Sequence, residues 1–176
     1  DKMLSDGTKM VFITAGMGGG TGTGAAPIIA REAKSKNILT IGIVTIPFQF
    51  EGNRKIDQAL DGVEAISKNV DALLVVNNER LREIYPELTI SDAFGRADDT
   101  LTLAARSIAE IITTHGKINL DFNDVCTVLR DGGVAIMSTG KGEGELRVKS
   151  AIDDALNSPL LNNNDIFDAK KVLLYI

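Results

Sequence analysis

The chain has 176 residues, 44% of them apolar and 24% charged, with a formal net charge of −5. That length suits one domain, or one domain and part of another. The acidic balance, with a pI near 4.9, and the absence of any basic run argue against a nucleic-acid footprint. No window is apolar for long enough to span a membrane and no signal peptide opens the chain, so direct membrane insertion is not expected. The lone Cys126 excludes an internal disulfide and fits a reducing, cytoplasmic compartment. The first residues read as the tail of a helix and residues 172–176 as an apolar strand, so the sequence is expected to be a fragment of a longer polypeptide.

Residues 9–14 form a short β-branched, apolar run that predicts a buried strand. The run Gly16-Met17-Gly18-Gly19-Gly20-Thr21-Gly22-Thr23-Gly24-Ala25-Ala26-Pro27 follows it, and helical spacing holds from about residue 25 to 34. A strand, a glycine-rich turn and a helix start aim backbone N–H groups at one point. Glycines admit positive φ and keep side chains out of a ligand's way. The free N–H groups of the first helical turn and the helix dipole then favour an anion. The hydroxyls of Thr21 and Thr23 add donors, and phosphate binding is the natural reading.

Three other readings compete. A flexible linker is also rich in glycine, but linkers are rarely wedged between a buried strand and a helix. A Walker A loop ends in Gly-Lys-Ser/Thr, and no lysine lies between Met10 and Arg31, so that reading fails. Gly20 to Ala25 does satisfy G-x-G-x-x-G/A, which keeps a dinucleotide site open. The acidic residue expected at the end of the second strand is missing; Ile46-Pro47-Phe48 stands there.

Residues 38–46 read as a strand covered on both faces. Residues 47–52 break it, and a helix follows with Ile56, Leu60, Val63 and Ile66 on one side. Residues 72–76 make a third strand. A β-α-β-α-β order with short joins predicts an α/β fold: a doubly wound, Rossmann-like parallel sheet with right-handed crossovers. Ligands bind such sheets beyond the carboxyl ends of the strands. The glycine loop, residues 48–52 and Asn77-Asn78 should therefore share one rim.

A short helix over 79–85 precedes a long one, with Ser91 as the expected cap and Asp92 in the first turn. Its apolar stripe reads Phe94, Ala97, Leu101, Ala104, Ile108 and Ile111, opposite a polar stripe of Asp92, Arg96, Asp99, Arg106 and Glu110. A solvated face accounts for Arg106 and Glu110, whereas Asp99 lies in the early turns near the rim. His115 reads as a helix-end cation. Asp121 and Asp124, three apart at the next helix start, lie on one side of the chain; local chemistry also allows simple capping by Asp121 or Asn123. A strand over 134–138, a turn over 140–144, a helix over 145–156, a polar connection over 157–168 and a strand over 172–176 complete the chain.

The run from Gly19 to Gly24 is the signature of the tubulin/FtsZ superfamily, and with Gly16-Met17-Gly18 before it and Ala25-Ala26-Pro27 after it, the chain resembles bacterial FtsZ. The resemblance continues through residues 47–52, Asp92-Ala93-Phe94-Gly95, Asn119-Leu120-Asp121-Phe122 with Asp124, and Ser158-Pro159-Leu160-Leu161. It covers essentially the whole chain, in order. It implies a GTP- and GDP-binding GTPase that uses Mg²⁺ and polymerises head to tail with itself at the midcell division ring, in contact with membrane tethers and regulators.

By the same resemblance Gly18, Gly19, Gly20, Thr21, Gly22, Thr23 and Gly24 would hold the phosphates. Glu51 would meet the ribose, with Arg54 or Lys55 as the nearby cation. Asn78 and Asp99 would read guanine and Phe94 would stack on it. Asp121 and Asp124, with Asn119, would act on the nucleotide of the next subunit. The chain departs from the family where Lys55 replaces an arginine and Asn77-Asn78-Glu79 replaces Pro-Asn-Asp. The implied division is 1–90 for part of the GTP-binding domain, 91–115 for a connecting helix and 116–176 for the start of a second, α+β domain. A fragment of this extent is expected to bind GTP poorly by itself. A non-hydrolysing assembly or capping module, and more remotely an NAD-binding enzyme, are the alternatives.

Overall fold

The computed structural model describes residues 4, 6–113, 121–156 and 169–174, without the side chains of Glu83 and Ile84. Four parallel strands, β1 (Met10–Gly16), β2 (Leu39–Ile46), β3 (Ala72–Asn77) and β4 (Gly133–Ala135), lie in the order β1-β2-β3-β4. The register runs Met10 opposite Leu39, Ile41 opposite Ala72 and Ala72 opposite Gly133. Residues 39–45 of β2 are all buried, as the unbroken apolar run requires of a strand covered on both faces.

Two apolar layers sandwich the sheet. On one face α1 (Gly20–Ser35) and α2 (Asn53–Ser67) cover Ile13, Val44 and Leu73. On the other, α4 (Ile90–Thr113) and α5 (Phe122–Leu129) cover Leu39, Ile41, Ile43 and Leu74. The short α3 (Asn78–Ile84) links β3 to α4, and α6 (Arg147–Leu156) follows β4. The α/β parallel sheet expected from the sequence is present. Among the described residues no helix is long and apolar enough to cross a membrane.

Several details depart from the sequence reading. Helix α1 begins at Gly20, inside the glycine run, and its burial comes from the small stripe Ala26, Ala30 and Ala33, which leaves Ile28 and Ile29 exposed. On α2, Leu60 is exposed while Ala59 and Gly62 are buried. A Cβ at Gly62 would stand 2.7 Å from Thr23 Cγ2 and 3.1 Å from Met17 Sδ, so close approach of α1 and α2 selects small residues there. Thr89, two residues before Ser91, caps α4: its Oγ1 accepts the Asp92 N–H at 3.2 Å and donates to Asp92 Oδ2 at 2.6 Å.

The last strand is shorter than the sequence suggests, and residues 172–174 form no strand. A strand needs a neighbouring ladder to take up its N–H and C=O groups, and residues 172–174 pair with none of the described strands. α6 begins at Arg147 and leaves Leu146, Val148, Ile152 and Leu156 exposed. His115, Asn119, Leu120 and residues 157–168 lie outside the described residues.

The amino end of the sheet is tied by one lysine. Lys34 Nζ donates to the Val70 carbonyl at 3.2 Å and to Asp131 Oδ1 at 3.0 Å, and it pairs with Asp71 Oδ1 at 3.3 Å. Asp71 is buried and also accepts the Thr40 N–H at 2.9 Å. Partial burial lowers the affinity of Lys34 for its proton, but the hydrogen bond it donates to Asp131 and the charge of Asp71 outweigh it, so the net shift is upward. Hydrogen bonding to Lys34 holds Asp131 below its ordinary value of 3.8.

A carboxylate whose folded pKa is lowered contributes stability above its ordinary value, lost as pH falls through the folded one. An ammonium whose pKa is raised contributes below its ordinary value, lost as pH rises through the raised one. Lys34→Met should cost about 1 kcal/mol at neutral pH, mainly for the lost bond to the Val70 carbonyl, because solvent screens the ion pairs and Asp71 keeps the Thr40 N–H. The gap between the melting curves of the two proteins should narrow below pH 3.8, as the Asp131 pair is lost. A constant gap from neutral pH into that range would show that the Asp131 pair contributes nothing.

Candidate nucleotide site at the carboxyl edge

The glycine loop is shaped by three backbone constraints. Met17 N–H donates to the Thr45 carbonyl at 3.0 Å, which extends the β1–β2 pairing by one residue. Gly18 then turns at φ +93, and a Cβ there would lie 2.6 Å from the Lys55 carbonyl oxygen. A Cβ at Gly22 would lie 2.5 Å from the Gly16 carbonyl oxygen. The loop closes on itself through Gly18 N–H, which donates to Thr23 Oγ1 at 3.0 Å.

What remains open is the anion side. Gly19 caps α1 with no side-chain bond, and no acidic residue lies in the first turn. A Cβ at Gly19, Gly20 or Gly24 would meet nothing within 4 Å, and Thr21 is exposed beside them. The first-turn N–H groups and the positive end of a 16-residue helix thus face free space. The two threonines differ in use: Thr21 faces outward, while Thr23 turns inward to Gly18 and Gly62.

The segment after β2 touches every other part of the rim. Lys55 meets the glycine loop through its backbone, as above. Glu51 Oε1 accepts the Phe48 N–H at 2.9 Å and Oε2 pairs with Lys55 Nζ at 3.0 Å, so the carboxylate is held in place while Arg54 stays exposed. Phe48 is buried, stacks on Phe50 at 5.0 Å and meets Phe94 edge-on at 5.3 Å. Phe94 itself is 41% exposed. It belongs to the rim rather than to the core stripe of α4, whose seam uses Ala93 and Ala97 instead.

The end of β3 supplies the polar group. Asn77 caps α3 by accepting the Glu79 N–H at 3.0 Å. Asn78 is 5% exposed, and its Oδ1 is buried with no hydrogen-bond partner. Glu79 Oε2 accepts the Gln49 N–H at 3.0 Å, and Oε1 accepts Arg82 Nε at 2.6 Å. The Gln49 N–H lowers the Glu79 pKa, burial opposes it, and Arg82 adds to the lowering. Asp99 is exposed on α4.

Asp121 and Asp124 are not brought to the glycine loop. Asp124 Oδ2 accepts the Asp121 N–H at 3.2 Å, and Asp121 Oδ2 accepts from Asn123 Nδ2 at 3.1 Å. Just past α5, Arg130 Nη1 donates to Asn37 Oδ1. Asn37 follows the far end of α1, roughly 24 Å from its start at 1.5 Å per residue. Asp124 lies only about 9 Å along the chain of helix from Arg130 by the same rise, and α5 covers the opposite sheet face. Both carboxylates are exposed. Asn119 lies outside the described residues.

The family model described as "Tubulin/FtsZ family, GTPase domain" matches residues 2–86. The "Cell division protein FtsZ" of Porphyromonas gingivalis is 68% identical over 99% of this chain and 38% of its own length. The chain belongs to the tubulin/FtsZ family. The "Mitochondrial division protein fszA" of Dictyostelium discoideum is 50% identical over 96% of the chain and 33% of its own length. Among solved structures, an empty FtsZ dimer from M. jannaschii has a TM-score of 0.82 and 45% identity, covering 87% of this chain and 45% of that one. CetZ from Methanosaeta thermophila, at TM-score 0.72 and 21% identity over 85% of this chain and 43% of its own, shares the fold. The chain spans less than half the length of each of these relatives.

Two supports of this rim were not named from sequence. Gly62, a glycine inside a helical pattern, carries a sequence signal for close packing. The Glu79–Gln49 bond carries none, because it joins residues 30 apart. The threonine contrast is directly measurable. Thr23→Val should lower unfolding stability by about 1–2 kcal/mol, because Gly18 N–H loses its acceptor, whereas Thr21→Val should stay within about 0.5 kcal/mol. Equal effects in denaturant melts would mean that Thr23 does not close the loop.

Proposed function

We propose that this segment carries the phosphate, ribose and base contacts of a GTP site in a protein that assembles head to tail, with hydrolysis completed by the adjacent subunit. The buried, unpartnered Asn78 Oδ1 carries the reading. Leaving such an acceptor unpaired costs about 1–3 kcal/mol, and a guanine edge with adjacent N1–H and 2-amino donors would relieve it. Asp99 on α4 would take the other donor, and its charge would reject adenine, which leaves a carboxylate unpaired. Phe94 offers an exposed ring for the base and Glu51 a held carboxylate for the ribose. Lys55, or Arg54 beside it, would supply the cation.

Gly18 to Gly24, with the uncapped start of α1, would take the phosphates. Gly19, Gly20 and Gly24 leave room for them, which is the fit that a backbone cradle requires. Mg²⁺ held on the phosphate oxygens would supply charge neutralisation; among the described residues no His, Cys, Asp or Glu cluster forms a metal site of its own. Phosphoryl transfer needs positioning and electrostatics more than covalent chemistry. Asp121 and Asp124, with Asn119, would polarise or position the water that attacks the nucleotide of the neighbouring molecule. The separation of these carboxylates from the glycine loop within one chain supports that division.

A site split in this way makes a heterologous contact, which does not close and so yields filaments. Residues 1–90 would then belong to the nucleotide-binding domain, 91–115 to the connecting helix and 116–176 to the start of the activating domain. The relatives named for cell division support a place at the division ring, where tethers and regulators would bind other parts of the protein. In the full-length protein Asp124→Ala should bind GTP within about twofold of wild type while turnover falls about a hundredfold or more. Loss of GTP binding in that variant would place Asp124 in its own subunit's site and overturn the shared-site mechanism.

A further inference from the structure

Asn78 and Glu79 are neighbours at the start of α3, yet their side chains are used differently. The Asn78 amide oxygen waits without a donor, while Glu79 spends both carboxylate oxygens on the protein. Oε2 accepts the Gln49 N–H and Oε1 accepts from Arg82. The Glu79 backbone is fixed as well, by the Asn77 cap. Gln49 sits between Phe48 and Phe50, whose rings meet Phe94, and two residues before Glu51. It also opens the 3-10 turn Gln49–Glu51, where a first-turn N–H has no helical acceptor. A charge-assisted bond fills that place, and the arginine limits the carboxylate's freedom to swing.

We infer that Glu79 is a positioning residue for the purine end of the site, holding the Gln49–Glu51 turn at a fixed distance from Asn78. The inference rests on the guanine site proposed above and adds to it a determinant of base discrimination. Asn78 reads the edge of the base while the aromatic wall reads its face, and the two belong to segments that follow different strands. Glu79 is the side chain that bonds one to the other. Without it the Gln49 N–H turns to water and the turn moves independently of α3. The base still enters, but edge and face are no longer met together. The bonds of Glu79 go to Gln49 and Arg82, so the loss should fall first on the base end of the site.

The test uses the full-length protein, with GDP and IDP affinities measured by displacement of a fluorescent GDP analogue, alongside the melting temperature without nucleotide. IDP lacks the 2-amino group but keeps N1–H. Glu79→Ala should weaken GDP binding about tenfold and reduce the preference for GDP over IDP, as expected when a contact loses its placement. Glu79→Gln, whose amide oxygen still accepts the Gln49 N–H, should stay within about threefold of wild type. Unchanged GDP affinity and preference in Glu79→Ala overturns the inference. So does an equal loss for both nucleotides accompanied by a lower melting temperature, which makes Glu79 a stabilising residue only. Asn78→Ala separates the two levels. If it weakens GDP while Glu79→Ala does not, the positioning role alone falls; if it changes nothing, the guanine site falls and the positioning role with it.

Discussion

The close approach of the glycine loop to the start of α2 is the constraint on which the site depends. Gly18 sits in the left-handed region with the Lys55 carbonyl where its side chain would be. No other residue satisfies both conditions, because a Cβ would be strained by the backbone angle and blocked by a backbone atom that cannot swing away. The contact fixes the glycine turn against the segment that carries Glu51 and the aromatic rings. Gly62, packed on Thr23 and Met17 one layer below, lets the two helices come close enough for it.

Residues 47–55 act as the hub of the rim. They meet the glycine loop through Lys55, α4 through Phe94, and α3 through Glu79. Each contact is of a different physical kind: a backbone approach, an edge-on ring pair and a charge-assisted hydrogen bond. The segment is short and mostly exposed at its tip, so its conformation comes from these three ties and from the Glu51–Phe48 bond inside it. Opposite, at the amino edge, Lys34, Asp71 and Asp131 tie α1, β3 and the turn after α5. Polar networks thus close both ends of an apolar sandwich.

Much of the fold was legible because burial leaves a periodic trace. The unbroken run over 38–46 announced a central strand, and β2 is that strand, buried over seven consecutive residues from 39 to 45. The glycine run between a strand and a helix marked the turn, since glycines are placed where side chains cannot be. Other expectations failed where tertiary packing chose among equal local options. Leu60 fits the apolar spacing of α2, but close approach to α1 favoured Ala59 and Gly62 on the buried face. Phe94 fits the stripe of α4, but the rings of Phe48 and Phe50 draw it to the rim.

Composition, periodicity and the glycine signature by themselves determined the parallel α/β class, the order of its elements and the residues collected at the carboxyl edge. These follow from local rules: which side chains must leave water, where the backbone must bend, and where helix ends expose N–H groups. Tertiary structure alone decided how the collected residues are used. It turned Thr23 inward and left Thr21 exposed, held Glu51 by its own loop, buried the Asn78 Oδ1 without a partner, and joined Glu79 to Gln49 across 30 residues. Such choices depend on distances between segments far apart in the chain, and a single sequence carries no periodic signal for a distance.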